Sequence, residues 1–475
     1  MIDVPIIRGG EEYYTRERIK LSDYKGEELA EVSQAPTALI FDSISKAKKS
    51  FENLQKLSLG ELFDIIKEAG KKFKSELKCG KEFLSYQDYC EAVTKATGLP
   101  MKAVKDSSRV LVESFSRIDE IIKRQTPYEL KIYDDFIHED IAFVPKGKVL
   151  GIISPGNLPA PNFFLVTAQA VKYPVIHRPS NTEPFTGQRI TKALYNAQLP
   201  KNVNHYIPCK VEEVSGILTR CDFGLIFGSK ETVEQYKNIP SIRTYGPGNC
   251  KILIDPDHYE SNNPVELIEA SMMDKGGRSC LNASQLIVIS DEIKKSEKLL
   301  QEIADSLADK ISYEILDPMD EDATIPAIPD KQVGEKIDEY IDSNLSNGFR
   351  EANLEQRGKR LIEDYETQFL QPTLVICNWR SFKRDGNRFT HPLFIELPFQ
   401  YLAMVAVPKE LAISFLKDSL VVSVLTYDEK LMTELILEPT IEKLYFKKPT
   451  IEFDFSDPHY EYFIDFLYKV KCVKH

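Results

Sequence analysis

The chain has 475 residues, more than one ordinary core holds, so two or three domains are expected. Apolar residues make up 42% and charged residues 28%, the mix of a globular protein. The formal net charge of −12 argues against general nucleic-acid binding, which needs a basic surface. No apolar run approaches the roughly 18 residues of a membrane span, and the opening MIDVPIIRGGEEYYTRERIK lacks a secretory pattern. Cysteines stand at 79, 90, 209, 221, 250, 280, 377 and 472 with no CxxC pair. Neither a disulfide framework nor a zinc site is suggested, and reduced thiols in a cytoplasmic protein are expected.

In chain order, apolar residues first recur at helical spacing over about 44–78 (Leu59, Leu62, Phe63, Ile66) and 85–124 (Leu111, Val112, Phe115, Ile118). The break falls at Gly98-Leu99-Pro100, where proline suits the first turn of a new helix. Residues 1–125 therefore read as a helical region packed on the next domain, and 126–147 as arm strands. From Lys146 short β-rich runs alternate with helical stretches: strands at 149–153, 174–177, 205–207 and 224–227, helices at 160–172, 183–197, 211–219 and 229–237. That alternation predicts a parallel α/β sheet with right-handed crossovers.

A second set comes after Gly248, with strands at 250–254, 285–289, 373–377, 401–407 and 421–425. The fold class is thus α/β: a Rossmann-like dinucleotide-binding domain over 148–249 and a catalytic domain over 250–430. Between them a cleft is expected, with ligands at the carboxyl ends of the strands. The acidic, proline-containing stretch 317–360 reads as a surface excursion. Residues 431–475 read as a C-terminal return whose alternating tail pairs with 129–144 and forms an oligomerisation strand.

Four segments carry candidate chemistry. SPGNLPAP (154–161) comes directly after the first strand of the set, and the amide of Asn157 could stabilise a tetrahedral oxyanion, typically worth about 3 kcal/mol; a turn-forming asparagine is the plainer alternative. HRPSN (177–181) puts Arg178 and Ser180 at a strand's carboxyl end, although a surface arginine looks the same. Gly228-Ser229 closes a strand and opens a helix, where free N–H groups favour a phosphate, or where serine is simply a cap. KGGRSCLNAS (275–284) presents Cys280 after two glycines that free the backbone to bend. A thiolate there is a strong nucleophile that forms a thioester, although most single cysteines are inert packing residues. No G-x-G-x-x-G occurs, and none of the seven histidines pairs at metal-ligand spacing; His391 is read as structural.

The order of these segments, P-G-N, R-P-S, F-G-S, G-R-S-C, then Q-P-T-L and E-L-P-F, resembles the aldehyde dehydrogenase superfamily over roughly residues 130–450. Family members usually show P-x-N, K-P-S, F-x-G-S, G-Q-x-C, P-T and E-x-F-G-P. The resemblance implies Cys280 as nucleophile and Asn157 as oxyanion donor. It implies Arg178 and Ser180 at the adenosine ribose, Gly228 and Ser229 at the pyrophosphate, and Glu396 at the nicotinamide ribose, with no metal. NAD or NADP is the implied cofactor. Asn181 replaces an acidic residue that favours NAD and Arg178 keeps the family's positive charge, so NADP is expected to be accepted.

Hydrolytic members carry a glutamate in an E-L-G-G-K block upstream of the nucleophile; here that block reads RTYGPGNCKILIDPD (243–257), with Arg243 or Thr244 near its place. Without that base, a thiol should take the acyl group. The resemblance therefore points to an acylating enzyme, similar to the acyl-CoA reductase branch and the fatty-acid reductase of bacterial luminescence systems, with CoA as co-substrate. The alternative is a non-acylating aldehyde dehydrogenase in which another carboxylate, such as Glu396, activates water. An acyl phosphate substrate and a non-catalytic protein that kept the fold are further readings. A homodimer or homotetramer is implied by the resemblance alone.

Overall fold

The computed structural model describes residues 1–125, 137–138, 141–258, 264–345, 348–459, 461–472 and 474. They divide into two compact units: Met1–Thr97, Val104–Gly246 and Asp454–His475 form the first, and Gly98–Ala103 with Pro247–Phe453 the second.

A seven-stranded sheet organises the first unit, in the order Ile242–Tyr245, Phe223–Phe227, Leu150–Ile153, Val175–Arg178, Asn204–Tyr206, Ile6–Arg8, Glu11–Tyr13. Its first five strands are parallel, with Leu150 beside both Val175 and Phe223. Four of these five are the alternating runs expected from sequence; Ile242–Tyr245 was not among them. Every residue of the helix Phe163–Ala170 is buried, which explains why its sequence shows no polar stripe. The N-terminal helices Thr37–Gln55, Leu59–Lys74, Tyr86–Thr97 and Ile118–Arg124 match the apolar spacing, and a capping box between Ser58 and Glu61 starts the second. Arg189 is buried at the far end of that helix, where its guanidinium donates to the carbonyls of Phe73 at 2.8 Å and Ser75 at 2.6 Å.

The helical reading of residues 1–125 is incomplete. Five strands precede the first helix: Ile2–Val4, Ile6–Arg8, Glu11–Tyr13, Arg18–Ser22 and Glu28–Ser33. They are short and interrupted by charge, so they present no apolar run to the eye. Of the expected arm, residues 126–136 and 139–140 lie outside the described residues. Ile141–Pro145 pairs antiparallel with Tyr468–Cys472, at the very end of the tail. The earlier tail segment Leu444–Phe446 instead joins the second unit's sheet beside Val422–Val424.

That second sheet runs Phe349–Glu351, Thr373–Asn378, Tyr401–Pro408, Ala283–Ser290, Cys250–Ile254, Val422–Leu425, Leu444–Phe446, all parallel except the first, which is antiparallel to its neighbour. Its central strands are buried on both faces and read as continuous apolar runs. The stretch 317–360 is a surface excursion only in part: most of the helix Lys331–Asn344 is exposed, but other residues are anchored in the core. Ile325, Ala327 and Ile328 are buried, and Lys331–Asn344 is a helix opened by the Asp330 carboxylate accepting the Gln332 N–H at 3.0 Å. Two of its acidic residues, Asp338 and Asp342, meet the buried Arg360 at 2.6 and 2.9 Å.

Candidate active site

In the second unit the backbone before the strand Ala283–Ser290 makes three consecutive left-handed steps, Lys275 at φ 48°, Gly276 at 67° and Gly277 at 70°. A Cβ on Gly277 would come within 2.5 Å of the Phe399–Gln400 backbone, so only glycine fits. Asn282 fastens the next turn. Its Oδ1 accepts the Ser279 N–H at 2.8 Å, and its Nδ2 donates to the carbonyls of Ser271 at 3.1 Å and Asp274 at 3.0 Å. Cys280 sits inside this fastened turn and is partly exposed, whereas Cys79, Cys90, Cys209, Cys221, Cys250 and Cys377 are buried.

The segment Gly248-Asn249-Cys250 lies against Cys280. The Cys250 thiol donates to the Cys280 carbonyl at 3.0 Å, and a Cβ on Gly248 would fall 1.9 Å from that same oxygen. Asn249 has φ 44° and binds Glu396 in both directions. Lys251, buried, donates to the Asn249 carbonyl at 3.2 Å, the Lys417 carbonyl at 3.0 Å and the Ser419 hydroxyl at 2.6 Å, which fixes Asn249 from the other side. Burial pushes the Glu396 carboxyl up to about 7, offset by the N–H groups of Asn249 and Gly248. Burial also pushes the Cys280 thiol up to about 12; the Glu396 charge adds to the rise, while the Lys443 ammonium and the cysteine's own N–H oppose it.

These residues stand at the amino ends of the strands, not at the carboxyl ends expected from sequence. Asn249 precedes Cys250–Ile254 and Cys280 precedes Ala283–Ser290. The carboxyl ends carry a closed polar cluster, Asp255, His258 and Asp428, whose spacing would suit a cation. The Lys409 ammonium already bonds there, to Asp428 at 2.8 Å, His258 Nδ1 at 3.1 Å and Asp255 at 3.3 Å.

In the first unit the candidate residues do lie at the carboxyl ends of strands. The adjacent parallel strands Leu150–Ile153, Val175–Arg178 and Phe223–Phe227 end in the segments bearing Asn157, Arg178 with Ser180 and Asn181, and Gly228-Ser229. A Cβ on Gly156 would meet the hydroxyls of Ser180 and Thr182, each at 2.3 Å, so the Asn157 turn rests on the 180–182 turn. Ser229 is exposed at the head of the helix Lys230–Tyr236, its hydroxyl on Glu231 Oε2 at 2.6 Å. Arg178 faces inward: it is 6% exposed, and Nη2 donates to Asn181 Oδ1 at 2.7 Å and to the Cys209 carbonyl at 3.2 Å. Three neighbouring strand ends with a glycine-lined turn and an exposed helix start fit a dinucleotide. His391 stacks on Phe349 with centroids 3.5 Å apart, a packing role.

Sequence reasoning passed over Asn249, Cys250, Lys251 and Lys443. The unusual Y-G-P-G-N run signals that the first two are special, since it needs close approach and a left-handed residue. Lys443 gives no such signal: within the alternating tail it reads as a solvent-facing strand residue.

The aldehyde dehydrogenase family model matches residues 14–379. The chain belongs to the aldehyde dehydrogenase family. It is accordingly an oxidoreductase acting on the aldehyde group with NAD(P). It is 24% identical over 370 residues to the malonate-semialdehyde dehydrogenase of Lacticaseibacillus casei, covering 74% of this chain and 69% of the relative. A 1-pyrroline-5-carboxylate dehydrogenase of Staphylococcus aureus is 24% identical over 246 residues, 47% of this chain and 44% of that protein. Among solved structures, a Thermus 1-pyrroline-5-carboxylate dehydrogenase with bound NAD aligns at a TM-score of 0.76 and 17% identity, covering 99% of this chain and 92% of that one. An E. coli NADP-dependent enzyme aligns at 0.77 and 18% identity, covering 99% and 98%. These likenesses establish the two α/β domains of the family fold. None of the described helices is long and apolar enough to cross a membrane.

Proposed function

We propose that this aldehyde dehydrogenase oxidises an aldehyde to a carboxylic acid through a thioester on Cys280, with Glu396 as the base that serves both the thiol and the hydrolytic water. The observation that carries this reading is the placement of Glu396: a half-buried carboxylate whose Oε2 accepts the Asn249 N–H at 2.9 Å, on the Gly248-Asn249 backbone that packs against the Cys280 carbonyl, with desolvation pushing the carboxyl up to about 7. A base with its pKa near the working pH is what proton transfer at neutrality requires. The block 243–257 lacks the family's usual carboxylate, and Glu396 supplies one by another route. This assigns Glu396 a different role from the nicotinamide-ribose contact implied by resemblance.

Glu396 takes the Cys280 proton, and the thiolate adds to the aldehyde carbon. The Asn157 amide and the Cys280 N–H are the proposed donors to the oxyanion. Ser180, Gly228 and Ser229 would hold NAD(P)+, with Arg178 and Asn181 toward its adenosine ribose, and the cofactor, when bound, would accept the hydride that leaves the former aldehyde carbon. Glu396 passes its first proton to solvent and then deprotonates the water that attacks the thioester; the acid leaves and the Cys280 thiol is restored. Because Asn181 brings no negative charge to the ribose, both NAD and NADP are proposed to serve, with NADP favoured.

A second reading, acyl transfer to CoA, is favoured by Arg243. Arg243 or Thr244 stands where the resemblance expects a deacylating carboxylate, and Arg243 is 7% exposed, ion-paired with Glu461 and laid over the Phe466 ring at 4.2 Å. Incubation with malonate semialdehyde and other aldehydes, with NAD or NADP and with or without CoA, separates the two. Carboxylic acid formed at the same rate without CoA supports hydrolysis. Product formed only with CoA, as the acyl-CoA, supports the second reading.

A further inference from the structure

We infer that Lys443 is a positioning residue for the nucleophile: from the amino end of the strand Leu444–Phe446, in the same row as Cys250, its ammonium holds the Cys280 thiolate once Glu396 has taken the proton. The inference rests on Cys280 being the reacting cysteine, as proposed above.

Sheet register places the residue. Val422 pairs with both Lys251 and Leu444, the Lys251 N–H donates to the Val421 carbonyl at 2.9 Å, and the Val422 N–H donates to the Lys443 carbonyl at 2.9 Å. Cys250, Val421 and Lys443 therefore stand in one row at the amino ends of three neighbouring strands. Cys250 is the residue whose thiol bonds the Cys280 carbonyl. The chain beyond Lys443 then returns to the same place: the Thr450 hydroxyl donates to the carbonyl of Leu281 at 2.6 Å, and its N–H donates to the Ser271 hydroxyl at 3.1 Å. Lys443 is 8% exposed, with its ammonium 5.0 Å from the centre of the Phe453 ring.

A cation buried on this side of the sheet favours the thiolate over the thiol, because low local polarity strengthens the attraction. Among the described residues, the charged and titratable groups that act on Cys280 are Glu396, Lys443 and Cys250. Glu396 opposes the thiolate only while ionised, and Lys443 opposes it in neither state. Moving the proton from Cys280 to Glu396 removes the repulsion and leaves the ammonium attraction in place. No atom is gained or lost, and the proton passes from sulfur to carboxylate oxygen.

The test is the pH profile of Cys280 alkylation by iodoacetamide, read by mass spectrometry of the Cys280 peptide, which requires no turnover. Lys443→Gln should move the profile to higher pH and slow alkylation at neutral pH about tenfold for every pH unit the profile moves. Lys443→Arg, which keeps the charge, should restore most of the rate. A Lys443→Gln protein with the wild-type profile and wild-type melting overturns the inference. Should the glutamine variant fail to fold, Lys443→Met in an otherwise unchanged chain carries the same expectation. Should that also fail, a Lys443→Arg profile matching wild type supports the inference and one displaced by more than about one pH unit overturns it. Loss of turnover with unaltered alkylation likewise removes Lys443 from this role and leaves the Cys280–Glu396 route standing. An altered alkylation profile in an enzyme that turns over without Cys280 would retain the Lys443 effect and reject that route.

Discussion

Asn249 and Glu396 hold each other twice: the Asn249 N–H donates to Glu396 Oε2 at 2.9 Å, and the Glu396 N–H donates to Asn249 Oδ1 at 3.1 Å. The pairing sets a carboxylate from one loop beside the turn that carries Cys280. It also requires Asn249 at φ 44°, a conformation asparagine accepts more readily than most residues. Asn249→Ala should therefore lose kcat by about tenfold and about 1–2 kcal/mol of stability. Asn249→Gly should recover the backbone part of the stability loss but not the kcat. Steady-state kinetics with thermal melting of both variants checks this.

Activity should rise with pH through about 7 as Glu396 ionises, and Glu396→Gln should abolish that limb. Stability should move in the opposite direction. Because folding raises the Glu396 pKa above its ordinary value, the folded state favours the protonated form. Wild type is expected to lose stability as pH rises from about 4.5 to about 7 and to stay level above that. Glu396→Gln, which cannot ionise, should lack this loss and gain at most about 3 kcal/mol over wild type at pH 8. Denaturant melts of both proteins at pH 5 and pH 8 measure the difference.

Gly248→Ala should be severe. The added methyl would meet the Cys280 carbonyl at 1.9 Å, and that oxygen belongs to backbone that Asn282 holds in place. Relief requires the Cys280 turn to move, at about 1–3 kcal/mol. A folded Gly248→Ala enzyme is expected to show at least a hundredfold lower kcat, a loss of about 3 kcal/mol in the transition state. Wild-type kcat in that variant would mean the Gly248–Cys280 contact does not set the site.

Cofactor preference should respond to Asn181. Arg178 Nη2 is bonded to Asn181 Oδ1, so a carboxylate at that position would pair with the guanidinium and repel a ribose phosphate. Asn181→Asp should raise KM for NADP at least tenfold, about 1.4 kcal/mol, and leave KM for NAD within about threefold. Paired KM measurements with both cofactors decide it.

Most of the two parallel sheets was legible from sequence, because strands such as Cys250–Ile254 and Tyr401–Pro408 are buried along their length and read as unbroken apolar runs. The strands of residues 2–33 were not legible, since Glu11–Tyr13 and Arg18–Ser22 are too short and too charged to stand out. The stretch 317–360 misled for a related reason. Acidity suggests solvent, yet Asp338 and Asp342 are the partners of the buried Arg360, a relation no local pattern reveals. At the candidate site, the glycine-rich approach to Cys280 was readable. The placement of Glu396 against Asn249, across 147 positions of chain, was not. Lys443 was hidden because its burial comes from the return of residues 450–453 over the sheet, which is a tertiary matter.

The most direct test of the Cys280–Glu396 route is a rapid-mixing experiment on Glu396→Gln with aldehyde and NAD(P)+ in the absence of CoA, coupled to mass analysis of the intact protein. The account predicts that at neutral pH even the first NAD(P)H per subunit forms at least about a hundredfold more slowly than in wild type, because no base takes the Cys280 proton, and that any acyl mass which does form stays on Cys280. A wild-type first turnover, or sustained turnover at the wild-type rate without CoA, would contradict it, as would a wild-type enzyme that stops after one acylation until CoA is added.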